Sequence, residues 1–126
     1  MNPLIAEIIE KHGERECFPR ATTFVRQGLR MPFMYYLQSG KVKIEQSAVN
    51  GKSLLFSFTC EGSWLGDLEL FSDADVANST VTTVSDVETI RFPIESMRSN
   101  LKVYPELTEL FARSLARKMW AYSKMS

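Results

Sequence analysis

Apolar positions along this chain change period twice, and the changes divide it into a short helix, a long β region and a helical end. Leu4, Ile5, Ile8 and Ile9 fall on one face of a helix. Asn2 is placed to cap that helix, Pro3 suits its first turn and Gly13 stops it. Phe18-Pro19-Arg20 is a break, and from there to about position 92 the pattern is that of strands. Thr22-Thr23-Phe24-Val25 predicts a strand ending at Gln27-Gly28, and Tyr35-Tyr36-Leu37 a second ending at Ser39-Gly40. Lys41 to Glu45 alternates, with Val42 and Ile44 facing in and the charges facing out. Asn50-Gly51 predicts a tight hairpin, because a two-residue turn that matches strand twist needs positive φ at its centre. Ser53 to Thr59 is then the return strand, and Ser79 to Val84 and Val87 to Phe92 form a last pair around Ser85-Asp86. Short strands with glycine-marked corners predict a barrel or jelly roll.

Pro93 ends the β region and opens a helix carrying Ile94, Met97 and Leu101. A longer helix is expected over about 105–126, with Leu107, Phe111, Leu115, Met119 and Tyr122 as a stripe at roughly coiled-coil spacing. Leu107, Leu110 and Phe111 are expected on the domain's own core. Beyond Leu115 the helix outruns a domain of this size. Leu115, Met119, Trp120, Tyr122 and Met125 are therefore expected to meet a second copy, as a parallel two-fold pair. The helical pattern is still running at Ser126, which points to a further segment beyond it.

The polar interruption between the two β halves carries the candidate chemistry. Gly62-Ser63-Trp64-Leu65-Gly66-Asp67-Leu68-Glu69-Leu70-Phe71 joins two glycines, an acid and one apolar turn. Gly66 frees the backbone to bend so that N–H groups converge, and a short helix opening at Asp67 would aim its N-terminus into the same hollow. This is the outline of an anion cradle. Asp67 and Glu69, two apart on a helical turn, are expected to diverge.

Composition narrows the classes. The 126 residues make one domain, 1–126, with 15 basic and 15 acidic side chains, so no whole-domain field would hold nucleic acid. No apolar run is long enough to span a bilayer, no signal peptide is visible, and a cytoplasmic protein with reduced Cys17 and Cys60 is expected. Cys60, at a strand end, reads as a small buried hydrophobe. His12 is the chain's one histidine and lies outside the β region. A metal-dependent cupin-like enzyme, which needs two or three histidines in its barrel, is thereby the weakest alternative. No nucleophilic triad can be assembled, no iron–sulfur cluster has its four cysteines, and no enzyme activity is expected.

Tyr35 to Val42, Asn50-Gly51-Lys52, Gly62 to Phe71, Val103-Tyr104-Pro105 and Leu115-Ala116-Arg117-Lys118 together carry a resemblance over nearly the whole chain. On them the chain is similar to the effector-sensing, cyclic nucleotide-binding-like domain of the cyclic AMP receptor/FNR class of bacterial transcription regulators. That resemblance implies a mainly β fold with flanking helices, a double-stranded β-helix jelly roll with a short N-terminal helix and a long C-terminal dimerisation helix. It implies a homodimer, no membrane, and DNA binding only through a helix-turn-helix absent from this chain. The family's Gly-Glu pair corresponds to Gly66-Asp67, with Leu68 in the same cassette, and the carboxylate would accept from a ribose hydroxyl. The guanidinium that forks onto the cyclic phosphate falls at Ala77, its hydroxyl neighbour at Asn78 and the next small residue at Ser79. The base-contacting pair on the last helix corresponds to Tyr122 and Ser123. A bidentate, charge-assisted contact of the kind lost at Ala77 is worth about 1.5–3 kcal/mol per bond, or roughly ten- to a hundredfold in affinity. The effector is therefore expected to be a small molecule or anion other than a cyclic nucleotide, or absent, with no cofactor assigned. A working cyclic AMP or cyclic GMP sensor is the alternative.

Overall fold

The computed structural model describes residues 2–48, 50, 54–72 and 75–123, without the side chains of residues 54–56 and 122. Helix α1 (Pro3–His12) begins as its sequence predicts, with the Asn2 side chain accepting from the Leu4 N–H at 2.8 Å. Among the described residues eight strands follow: β1 (Glu14–Phe18), β2 (Thr23–Val25), β3 (Phe33–Ser39), β4 (Lys41–Ser47), β5 (Leu54–Cys60), β6 (Trp64–Leu65), β7 (Thr80–Thr83) and β8 (Val87–Pro93). The single turn α2 (Asp67–Phe71) interrupts them, and α3 (Ile94–Val103) and α4 (Glu106–Ser123) close the chain.

The strands pair antiparallel in two four-stranded sheets, ordered β1-β8-β3-β6 and β2-β7-β4-β5. This is the expected jelly roll with flanking helices. The β4–β5 ladder closes on Ser47 opposite Leu54, so its midpoint falls between positions 50 and 51, where Asn50-Gly51 predicts the turn. Residues 51–53 of that turn lie outside the described residues.

Alternation along β3 builds two cores. Met34 and Tyr36 face the helices, where Met34 packs with Trp64, Phe92, Met97, Leu107 and Phe111. Tyr35 and Leu37 face the other sheet and pack with Val25, Val42, Leu65, Val81 and Val87. The inter-sheet layer is dry enough that burial, ahead of the nearby Glu16 carboxylate, pushes the Tyr35 phenol up to about 12. Leu107 and Phe111 are buried, and Leu110 packs against their cluster, as the stripe on α4 predicts.

Two strands have no counterpart in the sequence pattern. β1 (Glu-Arg-Glu-Cys-Phe) shows no apolar alternation because it is an edge strand held by charge. Arg91 on β8 bonds both Glu14 and Glu16, at 3.2 and 2.9 Å, and Arg15 pairs with Glu88. β6 is two residues long, below the length at which a period can be read. Cys60 corrects a further expectation. It is exposed, as is Cys17, and both are free thiols. The last position of β5 pairs with exposed Lys41 at the sheet's end, where little packs over its side chain.

Candidate functional site

β6 carries the chain from the helix-side core at Trp64 to the inter-sheet core at Leu65, and Gly66 then turns it. Gly66 has φ +103° and is the residue before α2. A Cβ there would stand 2.7 Å from Cβ of Met34, so the turn is pressed against β3 as well as left-handed.

Asp67 is next, and only 1% of it is exposed. One carboxylate oxygen accepts from the Ser114 hydroxyl at 2.6 Å. The other accepts from the Lys118 ammonium at 2.5 Å and from the Leu68 N–H at 3.0 Å. Lys118 also donates to the Trp64 carbonyl at 2.7 Å. Ser114 and Lys118 are four apart on α4 and so share a face. Together they clamp that helix to the cassette.

Glu69 turns the other way, as the two-residue spacing predicts. Its carboxylate accepts the Asn78 N–H at 2.8 Å. Just before it, Ala77 is locked by backbone pairing to the first glycine corner, donating to Leu29 O at 2.8 Å and accepting from the Gly28 N–H at 2.9 Å. The residue is 2% exposed and belongs to the inter-sheet core. Position 77 is thus a buried hydrocarbon, and the N–H of the next residue is already held by a carboxylate of the chain itself.

Beside these groups lies a cavity of ≈350 Å³. Val25, Met31, Ile44, Leu65 and Val81 form its apolar wall, and Leu115 and Met119 of α4 close one side. Gly66, Asp67, Leu68, Asn78 and Ser79, all candidates from the sequence, come together on the same wall. Ala77 and Ser123 do not join them there. Ala77 is behind the wall, and the Ser123 hydroxyl donates to the Trp120 carbonyl at 2.7 Å. The Tyr122 side chain and Met125 lie outside the described residues. Leu115 is half-buried, whereas Met119 and Trp120 are exposed.

Glu69 and Lys118 also line the cavity, and the sequence pattern assigns neither of them to a site. The spacing of Ser114 and Lys118 on one helical face is readable, but which carboxylate that face meets is not. Of three other cations, Arg91 is held by Glu14 and Glu16 of β1, Arg30 lines a separate depression, and Lys52 lies outside the described residues.

The family model for the cyclic nucleotide-binding domain matches residues 15–104. The chain belongs to that family. Its relatives place it with the effector domains of the cyclic AMP receptor/FNR class. It is 31% identical over 102 residues to the CRP-like cAMP-activated global transcriptional regulator of Mycobacterium tuberculosis, covering 81% of this chain and 45% of that protein. This chain thus spans about half the length of the curated relatives it matches. Among solved structures it is similar to the c-di-GMP responsive global regulator CLP of Xanthomonas campestris, with a TM-score of 0.82 at 20% identity over 94% of this chain and 61% of that one. The catabolite activator protein of Thermus thermophilus follows the same fold, with a TM-score of 0.80 at 19% identity over 99% of this chain and 58% of that one.

Proposed function

We propose that this chain is the effector-sensing and dimerisation module of a transcription regulator of the cyclic AMP receptor/FNR class, and that its effector is not a cyclic nucleotide. The observation that carries the second half is the Glu69 carboxylate seated on the Asn78 N–H beside buried Ala77. A cyclic phosphate needs a cation and free N–H donors at that place. It would meet a hydrocarbon and a negative charge instead.

The sensing mechanism follows from what the cavity touches. Its floor includes Asp67, and Asp67 holds α4 through Ser114 and Lys118. Leu115 and Met119 of the same helix form one side. A ligand that fills the cavity differently in two settings of α4 shifts their populations, and a dimer paired along α4 carries that shift along the helix pair. By resemblance to the family, DNA contact is assigned to a helix-turn-helix of the full regulator. The homologues bear the names of transcription regulators. Among the described residues no three His, Cys, Asp or Glu side chains group to hold a metal, and no helix is long and apolar enough to cross a membrane. A cytoplasmic location is the one in which a transcription regulator of this kind would act.

The rival reading, a working cyclic nucleotide sensor, is favoured by the family match and by the name of the 31% identical relative. Titration calorimetry with cyclic AMP and cyclic GMP decides between the two. Neither ligand is expected to give saturable heat at micromolar concentrations. A micromolar Kd for either one sinks the proposal.

A further inference from the structure

Resting on that reading of the site, we propose that the cavity takes a neutral, predominantly apolar small molecule and discriminates against anions. Its ≈350 Å³ lies in the range of small-molecule sites, and its wall is largely the hydrocarbon of Val25, Ile44, Leu65 and Val81. Burial of ligand hydrocarbon is therefore the main driving force for entry.

Charge then selects within that class. Two carboxylates, Asp67 and Glu69, share the lining with one ammonium, Lys118. The ammonium is committed to Asp67 and to the Trp64 carbonyl, at 2.5 and 2.7 Å. An anionic ligand would have to compete with Asp67 for that charge, and weakening the pair would leave a buried carboxylate without its main partner. The Asn78 N–H is held by Glu69 in the same way. Each of these donors, which could otherwise receive an anion, already has one supplied by the chain. A neutral molecule disturbs none of these contacts, and the Ser79 hydroxyl and the rest of the polar rim can meet a single hydrogen-bonding group on it.

Phenylnaphthylamine and anilinonaphthalene sulfonate test this directly, because they share a ring skeleton and differ by the sulfonate. Fluorescence titration of the whole chain is expected to show saturable, blue-shifted binding of the neutral dye at one site per chain. The sulfonate should bind at least about tenfold more weakly. Ser79→Phe, which fills the cavity from its wall, should abolish neutral-dye binding while circular dichroism shows the fold retained. Leu68→Arg adds a guanidinium at a rim position that is 46% exposed, so it threatens the fold little. It should narrow or reverse the gap between the dyes.

No binding of the neutral dye, equal or tighter binding of the sulfonate, or full binding by a folded Ser79→Phe chain overturns the inference. Its failure is separable from that of the functional reading. Micromolar cyclic nucleotide binding removes the reading itself, whereas absence of both nucleotide and neutral-dye binding removes only this inference.

Discussion

Gly66 holds a φ of +103° with its α-carbon backed against Met34. Alanine there meets both obstacles: a left-handed backbone costs about 1–2 kcal/mol for a residue with a Cβ, and forcing a methyl into a filled space costs about 1–3 kcal/mol. Gly66→Ala is expected to lower stability by about 2–5 kcal/mol, read as a fall in the urea midpoint with unchanged m-value. A loss under about 1 kcal/mol would mean that β3 and the turn can separate freely. The glycine was legible in the sequence as a backbone that must bend beside an acid. The reason for it was not, because Met34 comes from another strand. Ala77 shows the same division. The resemblance implies a cation at that position where this chain has alanine, but that Glu69 takes the neighbouring N–H depends on how the loop folds back.

At the scale of elements, the clamp between α2 and α4 is the contact that links site to helix. Asp67 is almost wholly buried, while Lys118 keeps 31% of its side chain exposed. Removing one partner of a fully buried pair costs about 3–5 kcal/mol, and partial exposure of the ammonium reduces this. Lys118→Met is expected to destabilise the chain by about 2–3 kcal/mol, and Asp67→Asn added to it should recover a large part of the loss. A double-mutant cycle by urea denaturation measures the coupling; additive losses would show that the two residues act independently. Elements with a clear period, α1, α3, α4 and the β4–β5 hairpin, were legible in advance. β1 was not, since an edge strand stabilised by Arg91, Glu14 and Glu16 carries no hydrophobic signature.

On the scale of the whole molecule, α4 changes its surroundings along its length. Leu107 and Phe111 are buried, Ser114 and Lys118 reach the cassette, and Met119 and Trp120 are 75% and 67% exposed. A two-fold pairing along the outer half of the helix would cover the large apolar side chains that the domain's own core cannot reach. Met119 has a second role, because it also lines the cavity. In the proposed dimer this side chain would border both ligand and partner, and any coupling between binding and dimerisation would then act on both equilibria by the same factor. Burying a methionine contributes about 1.5–3 kcal/mol, and two-fold symmetry counts each substitution twice. Met119→Glu, which also sets two like charges against each other, is therefore expected to raise the dimer dissociation constant by about a hundredfold or more. Sedimentation velocity across a concentration series measures it. The wild-type chain should sediment as a dimer at concentrations where Met119→Glu is monomeric, and monomer in both would remove α4 as the pairing element.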